Sequence, residues 1–288
     1  MTFGPPPQAT PGPGTFVAAP DPDNPPWGVW SALGLLVLSF FLMLVTSLVF
    51  LVPYIFYRGI GLDTLAEFAV KDPGAILVQI LSIIPAHLLT LVLAWLLVTR
   101  AGKYPFFATL GWDWRGGFTF WRSAGLAVLL LGVGYAIAKL TGPTDNALEQ
   151  LIRSSRAAAL AVAFAAAVTA PLVEEIVFRG VLYSALRRLV GAGGAVAAVL
   201  ILFALIHVPQ YWPSFGVIAT ILVLSVVLTL IRAHTGRLLP CFVVHLVFNS
   251  IQAVLIVLEP YLKQFAPEEA APAPGLLVAL LARLFVGG

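Results

Sequence analysis

Apolar runs of roughly 20 residues recur along most of this 288-residue chain, and few folds can accommodate them. A helix of that length matches the hydrocarbon core of a bilayer. Within lipid, every backbone N–H and C=O must find its partner inside the segment or in a closed barrel. The composition agrees: 60% of residues are hydrophobic, 10% are charged and the mean hydropathy is +0.99. Soluble domains carry about a quarter charged residues. The expected fold is therefore all-α, a polytopic helical membrane protein of about eight transmembrane segments. They are placed near 27–57, 75–99, 118–141, 157–189, 195–208, 213–233, 238–258 and, shorter than a full span, 275–286.

Residues 1–26 contain nine prolines and no lysine or arginine, the composition of a disordered tail. The helical membrane domain is expected over 27–288, with its motif-bearing core at 157–258. The tail lacks the basic start of a cleaved signal peptide, so the first span is read as a retained anchor. The stretch Lys103–Gly117 reads as a loop with aromatic anchors at the membrane surface, and Asn146–Arg156 as a short amphipathic surface helix. The net charge of +3 sits in short loops, so no nucleic-acid partner is expected. Arg100, Lys103, Arg115, Arg187, Arg188, Arg232 and Arg237 fall on one side, with the N-terminus. The positive-inside rule places that side in the cytoplasm. The single cysteine, Cys241, excludes an internal disulfide and is read as a small buried residue.

One span carries Val173-Glu174-Glu175-Ile176-Val177-Phe178-Arg179. Charges at bilayer depth cost at least a few kcal/mol each, so they must face one another, a polar cavity or a substrate. Glu175 and Arg179 are i,i+4 with the acid first, the favourable order for an ion pair. Glu174 is rotated roughly 100° away, which leaves it spare. Pro171 frees a carbonyl just before the pair, expected at Ala167 by the ordinary i−4 register.

Other spans add Phe203-x-x-x-His207 and His245-x-x-x-Asn249. Counting about 1.5 Å per residue from the basic helix ends, Glu174, His207, His245 and Asn249 fall in one slab of the membrane. A spare carboxylate suits a general base. A facing histidine can hold a water, and a histidine with an asparagine amide supplies donors for an oxyanion. Glu174, His207 and His245 are also a known set of zinc ligand types, so Zn2+ is a candidate cofactor. His87, in the second span, has no acid or second histidine at helical spacing and is read as a packed or interfacial histidine.

The ordered trio Glu174-Glu175-x-x-x-Arg179, Phe203-x-x-x-His207 and His245-x-x-x-Asn249 resembles the motifs of the CAAX protease and bacteriocin-processing (CPBP, or Abi) family of intramembrane proteases. The resemblance implies an intramembrane endopeptidase in which Glu174 and His207 activate water while His245 and Asn249 stabilise the oxyanion. Family members are often named metalloproteases, and a purely glutamate-dependent mechanism has also been proposed for them. The implied partners are a peptide or membrane-protein substrate, prenylated or not, and the lipid bilayer. The Ala, Gly, Pro and Arg usage fits a high-GC bacterium, which points to a bacterial cell membrane. Intramembrane acids and histidines also build proton-coupled transporters, which expect internal symmetry; none is visible. A non-catalytic immunity or scaffold protein is the third alternative.

Overall fold

A computed structural model describes residues 18–142, 150–152 and 155–263. Every regular element among them is helical, as expected. Helix α1 (Val29–Arg58) packs along α3 (Pro73–Thr99), with the short α2 (Leu65–Lys71) between them. The turn into α3 is set by Asp72, whose side chain accepts from Ala75 N at 2.9 Å, and by Pro73 at the first helical position. That pairing caps an N–H that would otherwise be orphaned. A single turn, α4 (Phe106–Thr109), precedes α5 (Phe120–Thr141).

The motif-bearing stretch Arg156–Tyr211 runs for 56 residues, about 84 Å if straight at 1.5 Å per residue, far beyond one bilayer crossing. It is broken at Gly191, where φ 73 and ψ 174 are accessible to glycine. Six stretches among the described residues are long and apolar enough to span a membrane. The broken one contains both the expected fourth and fifth segments. The eighth, 275–286, lies outside the described residues, as does most of the amphipathic helix expected at 146–156.

Within that stretch the helix changes register twice. Helix α6 (Arg156–Phe164) passes into a π-turn at Ala165–Thr169, then α7 (Ala170–Glu174), then a second π-segment at Glu175–Leu182, and finally α8 (Tyr183–Tyr211). Such π-turns are rare and concentrate at functional sites. Two helices complete the bundle, α9 (Phe215–Thr235) and α10 (Leu239–Lys263). One core surrounds the second π-segment, with Ile176, Phe178, Val181 and Phe203 each at most 3% exposed and α1 and α3 packed against them. A second core joins α5, α9 and α10 around Leu228, Cys241 and Val244, all fully buried.

Residues 18–26, the last part of the stretch read as a tail, are among the described residues. Residues 22–27 form a strap across the helix ends, held by charges that were read as loop charges. Asp23 pairs with Arg187 and, at 2.7 Å, with the fully buried Arg232. Arg232 also donates to Pro22 O at 3.0 Å, Arg188 donates to Pro25 O at 2.6 Å, and Arg100 donates to Pro26 O. Trp27 Nε1 donates to Val181 O at 3.0 Å. A buried guanidinium is costly unless paired, and Asp23 is the acid that pairs Arg232. These contacts put residues 22–27 on the same side of the bundle as Arg100, Arg187, Arg188 and Arg232.

Candidate active site

The Glu175–Arg179 ion pair expected from the i,i+4 spacing is present, Nη1 to Oε1 at 3.2 Å with both side chains fully buried. Two hydroxyls of α9 complete it: Arg179 Nη2 donates to Ser225 Oγ at 2.8 Å, and Nε to Thr229 Oγ1 at 3.3 Å. The guanidinium carbon lies 4.2 Å from the centre of the Phe203 ring, a cation–π contact in a desolvated setting. Arg232 then donates to the carbonyl of Arg179 at 3.1 Å. Ser225, Thr229 and Arg232 were not singled out in the sequence, although their i, i+4, i+7 spacing on an apolar helix was a visible signal.

Glu175 has a second task. Its Oε1 accepts from His245 Nδ1 at 2.9 Å, while Oε2 is buried with no hydrogen-bond partner among the described residues. The bond to Glu175 orients the His245 ring so that Nε2 stands 3.8 Å from Glu174 Oε2. Phe203 separates the two histidines, its ring centre 4.5 Å from that of His207 and 6.5 Å from that of His245. The phenylalanine of the second motif thus lies against Arg179 of the first and His245 of the third.

Accessibility distinguishes the two glutamates. The Glu174 side chain is 23% exposed and that of Glu175 is fully buried. Glu174 lines a cavity of about 150 Å³ together with His207, His87, Ser39, Met43 and Gln210. His207 Nδ1 lies 2.7 Å from Phe203 O. A carbonyl only accepts, so Nδ1 carries the proton and Nε2 of the neutral ring is the acceptor. His87, expected as a packed or interfacial histidine, is buried and also forms part of this wall.

Asn249 is positioned by the first π-turn. The Ala170 N–H reaches back five residues to Ala165 O, so the next bond of that register would run from residue 171 to Ala166 O. Proline at 171 has no N–H to give, and Asn249 Nδ2 donates to Ala166 O at 3.0 Å instead. The freed carbonyl is therefore Ala166, one residue before the Ala167 expected from an α-helical register. One of the two amide protons of Asn249 is used here and the second is left over.

Glu174 and His207 share the cavity, His245 approaches Glu174 from beside Phe203, and Asn249 stands at the first π-turn against Ala166 O. The zinc set drawn from them does not assemble. Glu174 and His245 approach one another, but among the described residues no three His, Cys, Asp or Glu side chains are grouped to hold a metal ion. In this arrangement the residues do not fit one.

Residues 156–251 match the family model described as type II CAAX prenyl endopeptidase Rce1-like. No curated protein and no solved structure matches the chain. The matched third of the chain contains all three motifs and every contact that joins them, so over these residues the chain is similar to type II CAAX prenyl endopeptidases.

Proposed function

We propose that this protein cleaves a peptide or membrane-protein substrate with a water activated by Glu174 and held by His207. One observation carries the reading: the single exposed carboxylate of the motif faces a cavity that it shares with a histidine of fixed tautomer. In the proposed reaction His207 Nε2 accepts one hydrogen of the water and Glu174 takes the proton lost as the water oxygen adds to the scissile carbonyl carbon. The carbonyl oxygen becomes an oxyanion, which accepts a hydrogen bond from the second N–H of the Asn249 amide and, in the doubly protonated form of the His245 ring, one from its Nε2–H. Glu174 returns its proton to the leaving nitrogen as the C–N bond breaks, so one water is consumed and two peptide ends form. Glu175 stays paired with Arg179 and serves as the orienter of His245.

No step of this scheme uses a metal. The N-terminus is proposed to be cytoplasmic, on the basic side of a bacterial cell membrane. The test is mass spectrometry of peptide products from wild type and Glu174→Gln in matched membranes. The variant keeps the shape of the side chain and removes the base, so products should vanish while the folded protein persists. Equal cleavage by both would remove Glu174 from the mechanism.

A further inference from the structure

Helix α3 contributes a histidine to the cavity from outside the matched residues 156–251. His87 is only 8% exposed, and its Nδ1 lies 2.8 Å from Thr169 Oγ1. Thr169 sits in the π-turn that precedes Glu174 and gives its single hydroxyl proton to Ala165 O at 3.3 Å. With that proton on Ala165 O, the shorter bond runs from the His87 Nδ1–H to the threonine oxygen, the tautomer assigned here. Nε2 of the neutral ring remains an acceptor, and among the described residues no donor reaches it.

We propose that His87 is a substrate-binding residue of this site, accepting a hydrogen bond through Nε2 from one main-chain N–H of the bound peptide. The inference rests on the proteolytic reading above and deepens it. A peptide segment at membrane depth carries N–H groups that are costly to leave unpaired, because no lipid group can accept from them. Two acceptors on the cavity wall, Glu174 and His207, are engaged with the water, and Ser39, Thr90 and Gln210 carry further oxygens. His87 adds an acceptor that is buried and aimed by a partner on the motif stretch itself, so that α3 supplies a binding group beside the hydrolytic ones. An acceptor of this kind contributes equally to ground state and transition state, which raises KM on removal and leaves kcat alone.

The probe is a synthetic apolar decapeptide with fluorophore and quencher at its ends, together with twins in which one amide N–H at a time is replaced by an ester oxygen. All are presented to the full chain in lipid nanodiscs. Wild type should show one twin with KM raised tenfold or more. His87→Ala should raise KM for the all-amide peptide to the same degree with kcat within twofold, and should no longer distinguish that twin. His87→Gln, which retains an acceptor, should recover part of the loss, and Thr169→Val should show a smaller loss of the same kind. If His87→Ala does not fold, His87→Gln and Thr169→Val carry the comparison. Should wild type cleave nothing, the same peptides are read by fluorescence polarisation against wild type and His87→Ala. Amide-over-ester binding that depends on His87 would then uphold this inference and overturn the proteolytic reading. Unchanged KM and unchanged amide preference in His87→Ala, a fall in kcat alone, or no binding by wild type would overturn it.

Discussion

Replacing Arg179 by alanine removes a heavily bonded buried cation at the site, and its cost follows from its contacts. The guanidinium is fully buried, pairs with Glu175 at 3.2 Å, donates to Ser225 and Thr229, and stacks on Phe203. Without it Glu175 keeps only the His245 bond at 2.9 Å, and its second oxygen already has no partner. Breaking a buried pair from one side costs about 3–5 kcal/mol, because a charge is left in a medium that cannot solvate it. At roughly 2–4 °C per kcal/mol for a chain of this order of size, Tm in detergent should fall by roughly 6–20 °C. The paired variant Glu175→Gln with Arg179→Met tests the cause, since no charge is then stranded and the glutamine oxygen still accepts from His245. Its Tm should return to within about 5 °C of wild type, in line with the near-neutral replacement of buried pairs by neutral groups. The assay is thermal unfolding of the purified proteins, read by retained monomer on size exclusion. An Arg179→Ala protein that melts with wild type would refute the argument, because it would mean that Glu175 is solvated or neutral without its partner.

The other contacts predict distinct outcomes. Asn249→Ala should lower the cleavage rate roughly a hundred- to a thousandfold, the usual loss for one oxyanion donor, measured as single-turnover kinetics on whichever peptide wild type cleaves; a rate within threefold of wild type would release Asn249 from that role. Asp23→Ala should lower Tm through about 1.5–3 kcal/mol for the lost charged hydrogen bonds to Arg187 and Arg232, whereas a conventional disordered tail predicts no change. Elemental analysis of active protein should find zinc well below one ion per chain, and stoichiometric zinc lost together with activity on chelation would overturn the metal-free scheme. Cysteines introduced in 60–70 should label from outside intact cells and cysteines in 102–117 only after permeabilisation; the reverse pattern would invert the proposed orientation.

Much of this protein was determined by local sequence. Apolar length fixes spanning helices, since lipid offers the backbone no other partner. The i,i+4 spacing of Glu175 and Arg179 makes their pairing nearly unavoidable once the segment is helical, and the observed pair agrees. The gap between the apolar runs expected at 157–189 and 195–208 likewise coincides with Gly191, which divides Arg156–Tyr211.

What the sequence left open depended on contacts between residues distant in the chain. The first π-turn moves the freed carbonyl to Ala166, and the amide that meets it, that of Asn249, is 83 positions away. Whether His87 faces the cavity depends on how α3 rotates against Thr169, 82 positions along, and no periodicity in α3 encodes that. Asp23 lies in a proline-rich stretch that composition alone assigns to disorder. Its partner Arg232 is 209 positions away, and only the folded bundle creates the buried cation that requires an acid there. Helical spacing governs which side chains share a face. Which faces meet is settled by packing between helices, and so the membership of the site was readable in one dimension while its bonding was not.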